Sequence, residues 1–261
     1  MTEIPIYQVD AFTENVFAGN PAAVCPLDDW LPAETMQNIA AENNLSETAF
    51  FVRNGDHFDI RWFTPVAEID LAGHPTLATA HVIFTEMEPC RRDIRFRSKL
   101  GDSLVVQRAK DRLLMDFPSR APEQVNGLGD VARALGAAPA ELLRARDGFA
   151  VFETEARVRD LRPDMARVAG LDLHGLIVTA PGDDCDFVSR FFAPRMGIPE
   201  DPVTGSAHCT LIPYWAKRLD KTELHARQIS SRGGELFCRY RGERVEIGGH
   251  AALYMKGTIY V

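Results

Sequence analysis

The sequence has few cysteines and none that are paired. Its five, Cys25, Cys90, Cys185, Cys209 and Cys238, stand apart without a CxxC. That spacing supplies neither a zinc ribbon nor a dithiol redox motif, and an odd, scattered set does not build a disulfide framework. Cations are also scarce: 29 Lys plus Arg against 37 Asp plus Glu leave a net charge of -8. This is the wrong sign for a protein that grips a phosphate backbone, so no nucleic-acid partner is expected. No run approaches the roughly 18 apolar residues of a membrane span, and Met1 to Asp10 carry acids and a proline in place of a basic-then-apolar leader. No membrane partner and a reduced, cytoplasmic setting are therefore the expectation. HExxH, GxGxxG and P-loop patterns are missing, and His74 with His81, seven apart, has no acid at ligand spacing. Neither a metal nor a nucleotide cofactor is expected.

What is present is ordinary globular usage, with 46% apolar and 25% charged residues in 261. That length suits one large domain or two modest ones. Short β-rich or alternating segments dominate: 4–9, 48–52, 58–63, 103–107 and 113–117, then 235–240, 244–247 and 258–261 in the last third. Gly233-Gly234, Arg241-Gly242-Glu243 and Gly248-Gly249 punctuate the later ones as hairpin turns would. One amphipathic helix is predicted to begin at Pro32 and to bury Met36, Ile39 and Ala40. Two others, Pro75 to Phe84 and Gly205 to Ala216, are apolar on every side, the signature of helices enclosed by other structure. Pro213 lacks an amide hydrogen and crowds the preceding turn, so a kink is predicted there.

The chain also repeats itself. Arg61-Trp62-Phe63-Thr64-Pro65 matches Arg190-Phe191-Phe192-Ala193-Pro194 at an offset of 129 residues, which also carries Met36 onto Met165, Ile39 onto Val168 and Ala40 onto Ala169. Each matched segment leads through an acidic, glycine-containing loop into one of the enclosed helices, at Gly73-His74-Pro75-Thr76 and at Gly205-Ser206-Ala207-His208. The expected fold is α+β: two similar lobes, 1–118 and 119–261, each an antiparallel sheet rolled round a central helix, with the last strand free to return to the first lobe. A ligand cleft between the lobes is the corresponding expectation.

Both enclosed helices begin at a glycine, where unpaired amides and the helix dipole favour an anion. Tight turns alone would also account for those glycines. Glu47 leads into a strongly apolar strand, and the 129-residue offset gives Leu176 as its counterpart, so the acid belongs to one half only. Partial desolvation there would raise its pKa toward that of a general acid or base, while a solvated strand-entry residue is the plainer reading. Asp201 precedes Gly205 by four residues and reads either as a substrate-orienting acid or as a helix cap. His74 can titrate near physiological pH but can equally be a satisfied structural residue.

Taken in order, Val9-Asp10-Ala11-Phe12, Phe17-Ala18-Gly19-Asn20-Pro21-Ala22-Ala23-Val24, Asn44-Leu45-Ser46-Glu47-Thr48-Ala49-Phe50, Arg61 to Pro65 with Ala72-Gly73-His74-Pro75-Thr76, and Glu200-Asp201-Pro202-Val203-Thr204-Gly205-Ser206-Ala207-His208 resemble the phenazine-biosynthesis (PhzF-like) family, relatives of diaminopimelate epimerase. The resemblance covers nearly the whole chain. It implies a two-lobed, often dimeric enzyme without organic cofactor or metal. It also implies Glu47 as the proton-transferring group, with His74, Asp201, Gly73, Gly205 and Ser206 around the substrate. Asn20, Ser46 and Thr76, within the same motifs, are assigned to substrate binding with them. The related epimerase uses two cysteines at the helix entrances; here those regions carry Gly73-His74 and Gly205-Ser206, with Cys209 three residues beyond Ser206.

The expected activity is isomerisation by proton transfer within a small carboxylate-bearing metabolite. Two alternatives are a non-catalytic small-acid binding protein and a hydrolase using Ser206 with His208. The second is opposed by helix geometry, since positions two apart point about 200 degrees from each other.

Overall fold

A computed structural model describes all residues except Met1, Asp102, Asn126 and Gly127. The chain divides into two compact units, Met1–Asp116 with Gly248–Val261, and Phe117–Ile247. No helix among the described residues is long and apolar enough to cross a membrane.

The first unit contains β1 (Glu3–Ala11), β2 (Asn20–Leu27), α1 (Ala33–Asn43), β3 (Glu47–Asn54), β4 (His57–Phe63), β5 (Glu68–Ile69), α2 (Gly73–Val82), β6 (Asp93–Ser98), β7 (Ser103–Ala109) and β8 (Arg112–Pro118). The second contains β9 (Glu123–Gln124), α3 (Leu128–Leu135), β10 (Glu141–Arg144), β11 (Gly148–Val151), α4 (Glu155–Asp160), α5 (Met165–Gly170), β12 (Leu176–Pro181), β13 (Phe187–Ala193), β14 (Ile198–Asp201), α6 (Gly205–Leu219), β15 (Glu223–Gln228), β16 (Gly234–Arg241) and β17 (Arg244–Gly249). The final strand, β18 (Ala251–Tyr260), pairs with β1.

The two units share one topology. In the first, β1 pairs with β2 antiparallel, β2 with β3 parallel, β3 with β4 antiparallel, β4 with β6 parallel and β6 with β7 antiparallel. In the second, β10–β11, β11–β12, β12–β13, β13–β15 and β15–β16 repeat that sequence of directions. A half-buried ion pair is duplicated too. Arg61 Nε and Nη2 donate to Glu68 Oε1 and Oε2 at 2.7 and 2.9 Å, and Arg190 makes the same two bonds to Glu200 at the same distances. Each guanidinium also lies over the phenylalanine two residues on, 5.2 Å from Phe63 and 5.0 Å from Phe192. Such a fork needs a planar donor, which is why arginine stands at both places.

These pairings correct one expectation. Phe63 faces Thr48 across β3–β4, whereas its repeat partner Phe192 faces Leu176. Leu176 therefore stands where Thr48 does, and the counterpart of Glu47 is Gly175. The slip arises because Leu176 to Ala180 are buried on both faces, so no alternation in the sequence pins the strand register.

Helix α1 starts after Pro32 and buries Met36, Ile39 and Ala40 as predicted. It packs on one face of the first sheet, with Ile6, Cys25, Phe50 and Phe63. Helix α2 lies against β1, β2, β3 and β18 and is buried along nearly its whole length, which explains its lack of a polar face. In the second unit α6 runs without a break through Pro213. Any other residue at 213 would donate its amide to the Cys209 carbonyl one turn back; that carbonyl is taken instead by the Arg120 amide at 2.9 Å. An outside donor replaces the missing one, so the proline does not end the helix.

Candidate functional site

Glu47 is the first residue of β3, and its side chain shares a face with Ala49 and Phe51, opposite the face on which Phe50 meets α1. Strand β2 runs parallel beside it with Ala22 level with Glu47, so Asn20, the first residue of β2, points to the same side. His74 is the second residue of α2. Two strand starts and one helix start thus bring three polar side chains together inside the first unit.

The distances define a chain. His74 Nε2 lies 3.0 Å from Glu47 Oε2, and His74 Nδ1 lies 3.2 Å from Asn20 Nδ2. With the amide nitrogen donating, Nδ1 is the acceptor, and the neutral ring carries its proton on Nε2, toward the carboxylate. Asn20 is fully buried, and His74 and Glu47 are 5% and 9% exposed. The imidazole and carboxylate are close without being aligned as a hydrogen bond.

The loop before β2 is shaped to deliver Asn20. Gly19 has φ +64°, and a Cβ there would lie 2.2 Å from the Ala11 carbonyl oxygen; only glycine passes that close. Asp10 secures the same loop by accepting the Phe17 amide at 2.9 Å. Of the other candidates, Ser46 is half-buried in the turn before β3 and Gly73 is buried at the start of α2. The Thr76 hydroxyl donates to the Ala72 carbonyl at 2.6 Å, closing the first turn of the helix.

The second unit builds its helix start differently. Asp201 ends β14, and its Oδ2 accepts the Thr204 hydroxyl at 2.5 Å. Gly205 opens α6 and is buried, while Ser206 is half-buried. The side chain that organises this loop was not evident as a site in the sequence. Gln228, 1% exposed, accepts the Thr204 amide on Oε1 at 2.9 Å and donates Nε2 to the Asp201 carbonyl at 2.8 Å and to Thr204 Oγ1 at 3.1 Å. The clue lies in β15, where Leu224, Ala226 and Gln228 alternate inward and the third is polar. Ser230 adds a hydroxyl bond to the Pro202 carbonyl at 2.8 Å.

Other chemistry is less well provided for. His208 is completely buried; its Nδ1 donates to the Thr204 carbonyl at 2.8 Å, and burial depresses its pKa to about 4. Its ring is thus committed to the helix start, which leaves Ser206 without the basic partner a hydrolase needs. Burial likewise pushes the Cys209 thiol up to about 11, far from a thiolate nucleophile or base near neutrality. Glu14, Asp111 and His250 gather ligand atoms within 4.8 Å, but Arg112 Nε lies 3.4 Å from His250 Nε2 and opposes a cation. A cavity of about 470 Å³ in the first unit is lined by Trp30, Arg61, Arg97 and Lys99, among others, and by neither Glu47 nor His74.

Known proteins resemble this chain over its full length. Residues 9–257 match the family described as phenazine biosynthesis-like protein, PhzC-PhzF. An uncharacterized isomerase of Pseudomonas aeruginosa is 53% identical over 258 residues, covering 98% of both chains. A crystal structure of a PhzF-family phenazine biosynthesis protein from Enterococcus faecalis superposes with a TM-score of 0.97 at 50% identity, covering 100% of both chains. In fold alone, the hydroxyproline epimerase of Agrobacterium vitis, solved with trans-4-hydroxy-L-proline, matches with a TM-score of 0.63 at 9% identity over 98% of this chain and 92% of that one. The family match over residues 9–257 and the 53% and 50% identities over nearly whole chains show that the chain belongs to the phenazine biosynthesis-like (PhzF) family.

Proposed function

We propose that this protein is an isomerase that moves a proton within a small carboxylate-bearing molecule, with Glu47 as general acid and base. The observation that carries the proposal is the buried contact between Glu47 and His74, fixed from behind by Asn20. A carboxylate held against an imidazole whose other nitrogen already accepts can take a proton from a carbon and give it back. Between the two transfers Glu47 is the neutral acid and the negative charge lies on the substrate; His74, its Nε2 proton toward Glu47, steadies the carboxylate before the first transfer and after the second. The amides at the start of α2, beside Gly73, supply positive potential for a substrate carboxylate or for charge that develops as the proton leaves, with Asn20, Ser46 and Thr76 as neighbouring contacts. In the same reading Asp201 orients the substrate, and Gly205 with Ser206 contributes hydrogen bonds. The name of the Pseudomonas relative, an isomerase, and the epimerase fold of the Agrobacterium protein support this class of reaction. The family resemblance further suggests a homodimer working without a cofactor, which sedimentation and metal analysis of the purified protein would check.

The test is deuterium uptake from heavy water into a panel of small amino, hydroxy and unsaturated carboxylic acids, followed by mass spectrometry. A turned-over acid gains deuterium at carbon with the wild-type protein and loses that gain by about 100-fold to 10,000-fold with Glu47→Gln. Uptake that survives Glu47→Gln unchanged would falsify the role given to Glu47. Tight binding of an acid with no exchange at any carbon would make the protein a small-acid binder instead.

A further inference from the structure

We infer that Gln228 is a positioning residue that aims the Thr204 hydroxyl proton at the Asp201 carboxylate. The inference rests on the proposed role of Asp201 in orienting substrate, and it comes from the hydrogen-bond partners themselves. The Thr204 amide can only donate and the Asp201 carbonyl can only accept, so Gln228 must turn Oε1 to the first, 2.9 Å away, and Nε2 to the second, 2.8 Å away. No flipped amide satisfies both. With that orientation set, Nε2 also donates to Thr204 Oγ1 at 3.1 Å. A hydroxyl that accepts on one side sends its own proton elsewhere, and Asp201 Oδ2 waits at 2.5 Å. The order Gln228 to Thr204 to Asp201 is therefore one-way, and each link is buried, with exposures of 1%, 6% and 8%.

The repeat shows that this relay is not needed to start a buried helix. The positions in the first unit matching Asp201, Thr204 and Gln228 are Ile69, Ala72 and Ser98. Helix α2 nevertheless begins and packs with an isoleucine in place of the acid, an alanine in place of the threonine and a serine in place of the glutamine. What the second unit gains from the three is a carboxylate that receives a hydroxyl whose proton Gln228 has aimed at it.

Gln228→Glu separates orientation from support, because it keeps an acceptor for the Thr204 amide and removes the Nε2 donor. The readout is the side-chain carboxyl carbon resonance of Asp201 at pH 7 in the full-length protein, assigned by its loss in Asp201→Asn. Thr204→Val should move that resonance, Thr204→Ser should restore it, and Gln228→Glu should move it in the same direction as Thr204→Val. The Thr204 amide should stay protected from solvent exchange in Gln228→Glu. A resonance unmoved by Gln228→Glu, or moved only together with loss of Thr204 amide protection, overturns the inference. Should Gln228→Glu fail to fold, the Thr204 pair decides it: no movement in Val, or no return in Ser, overturns it equally. None of these measurements needs a substrate, so the inference can fail while Glu47-dependent exchange stands, or survive its loss. Where exchange is found, Gln228→Glu should lower kcat about tenfold to a hundredfold through misplacement of Asp201.

Discussion

The two helix starts descend from one pattern and have been furnished in opposite ways. At the start of α2 the polar groups come from neighbouring strands, Glu47 and Asn20, and meet the helix residue His74. At the start of α6 the matching strand position is Gly175, the matching helix position is Ser206, and the polar groups lie instead in the incoming loop and in β15. Yet the ion pairs that brace the two loops, Arg61 with Glu68 and Arg190 with Glu200, are nearly superimposable in their distances. Duplication has kept the bracing and varied the contents. The bracing groups keep the same residue types and distances in both units, while the groups at the helix starts differ.

The sharpest way to break this contrast is to put the missing acid into the second unit. A Cβ at Gly175 would lie 2.3 Å from the Phe191 ring and 3.1 Å from Asp147 Oδ1. Gly175→Glu therefore drives its Cβ into a buried aromatic ring, next to an existing carboxylate. It should cost about 3–5 kcal/mol of stability in urea unfolding and should not rescue exchange in Glu47→Gln. A stable double variant with restored exchange would show that the two starts are interchangeable.

A second difference is acid sensitivity. The first-turn hydrogen bond to the cap carbonyl is made by Thr76 in one unit and by His208 in the other. Threonine does not titrate. The buried His208 does, and burial lowers its pKa from 6.5 to about 4. Above pH 6.5 the ring is neutral in both folded and unfolded chains and contributes no pH dependence. As pH falls from 6.5 to 4 the unfolded chain takes up the proton first, so folding loses stability, and below 4 the loss levels off. The full loss is about 3 kcal/mol. His208→Gln should remove this part of the decline when unfolding midpoints are compared at pH 7 and pH 4, while Thr76→Val should leave it intact.

Much of this is legible in the sequence. The three buried residues of α1, the two enclosed helices and the Arg-aromatic-Phe-small-Pro repeat follow from periodicity and identity along the chain. What was not legible depends on partners distant in sequence. The register between β12 and β13 is set by pairing, and a strand buried on both faces leaves no trace of it, so Leu176 was matched to Glu47 in place of Gly175. Gln228 was missed because a glutamine in a strand ordinarily faces water, and only the inward positions of Leu224 and Ala226 mark it as different. The contact of His74 with Asn20 spans 54 residues, a closure that no local pattern encodes.

The duplicated braces allow a finer comparison. Arg61 bonds Glu68, which Lys99 also reaches at 3.1 Å, and the guanidinium beside it holds the Glu68 carboxyl below the usual range. Arg190 bonds Glu200 and in addition donates to the Val158 and Leu161 carbonyls at 3.1 and 3.0 Å. Arg190→Ala strips the Glu200 carboxylate of its fork and takes one donor from each of two carbonyls, which keep only the Leu161 amide and Arg162 Nη1, whereas Arg61→Ala leaves one carboxylate that a lysine still approaches. The expected losses are about 3 and about 2 kcal/mol respectively, measured by urea unfolding at pH 7. Equal losses would mean that the carbonyl bonds add nothing to the shared fork.

The smallest expected effect concerns Pro213. Helix α2 is only ten residues long and contains no internal proline beyond its first turn, while α6 continues for fifteen with Pro213 near its middle. A proline inside a helix ordinarily costs about 3 kcal/mol relative to alanine, and most of that cost is a carbonyl left without its donor and a crowded preceding turn. In α6 the carbonyl is already served by the Arg120 amide. Pro213→Ala supplies a second donor to an oxygen that has one, so the helix gains little and the Arg120 bond is shared. The stability change should stay within about 1 kcal/mol. A gain near the full helix-propensity difference would show that the Arg120 bond does not compensate for the proline, and hydrogen exchange at the Arg120 amide would show whether that bond survives the substitution.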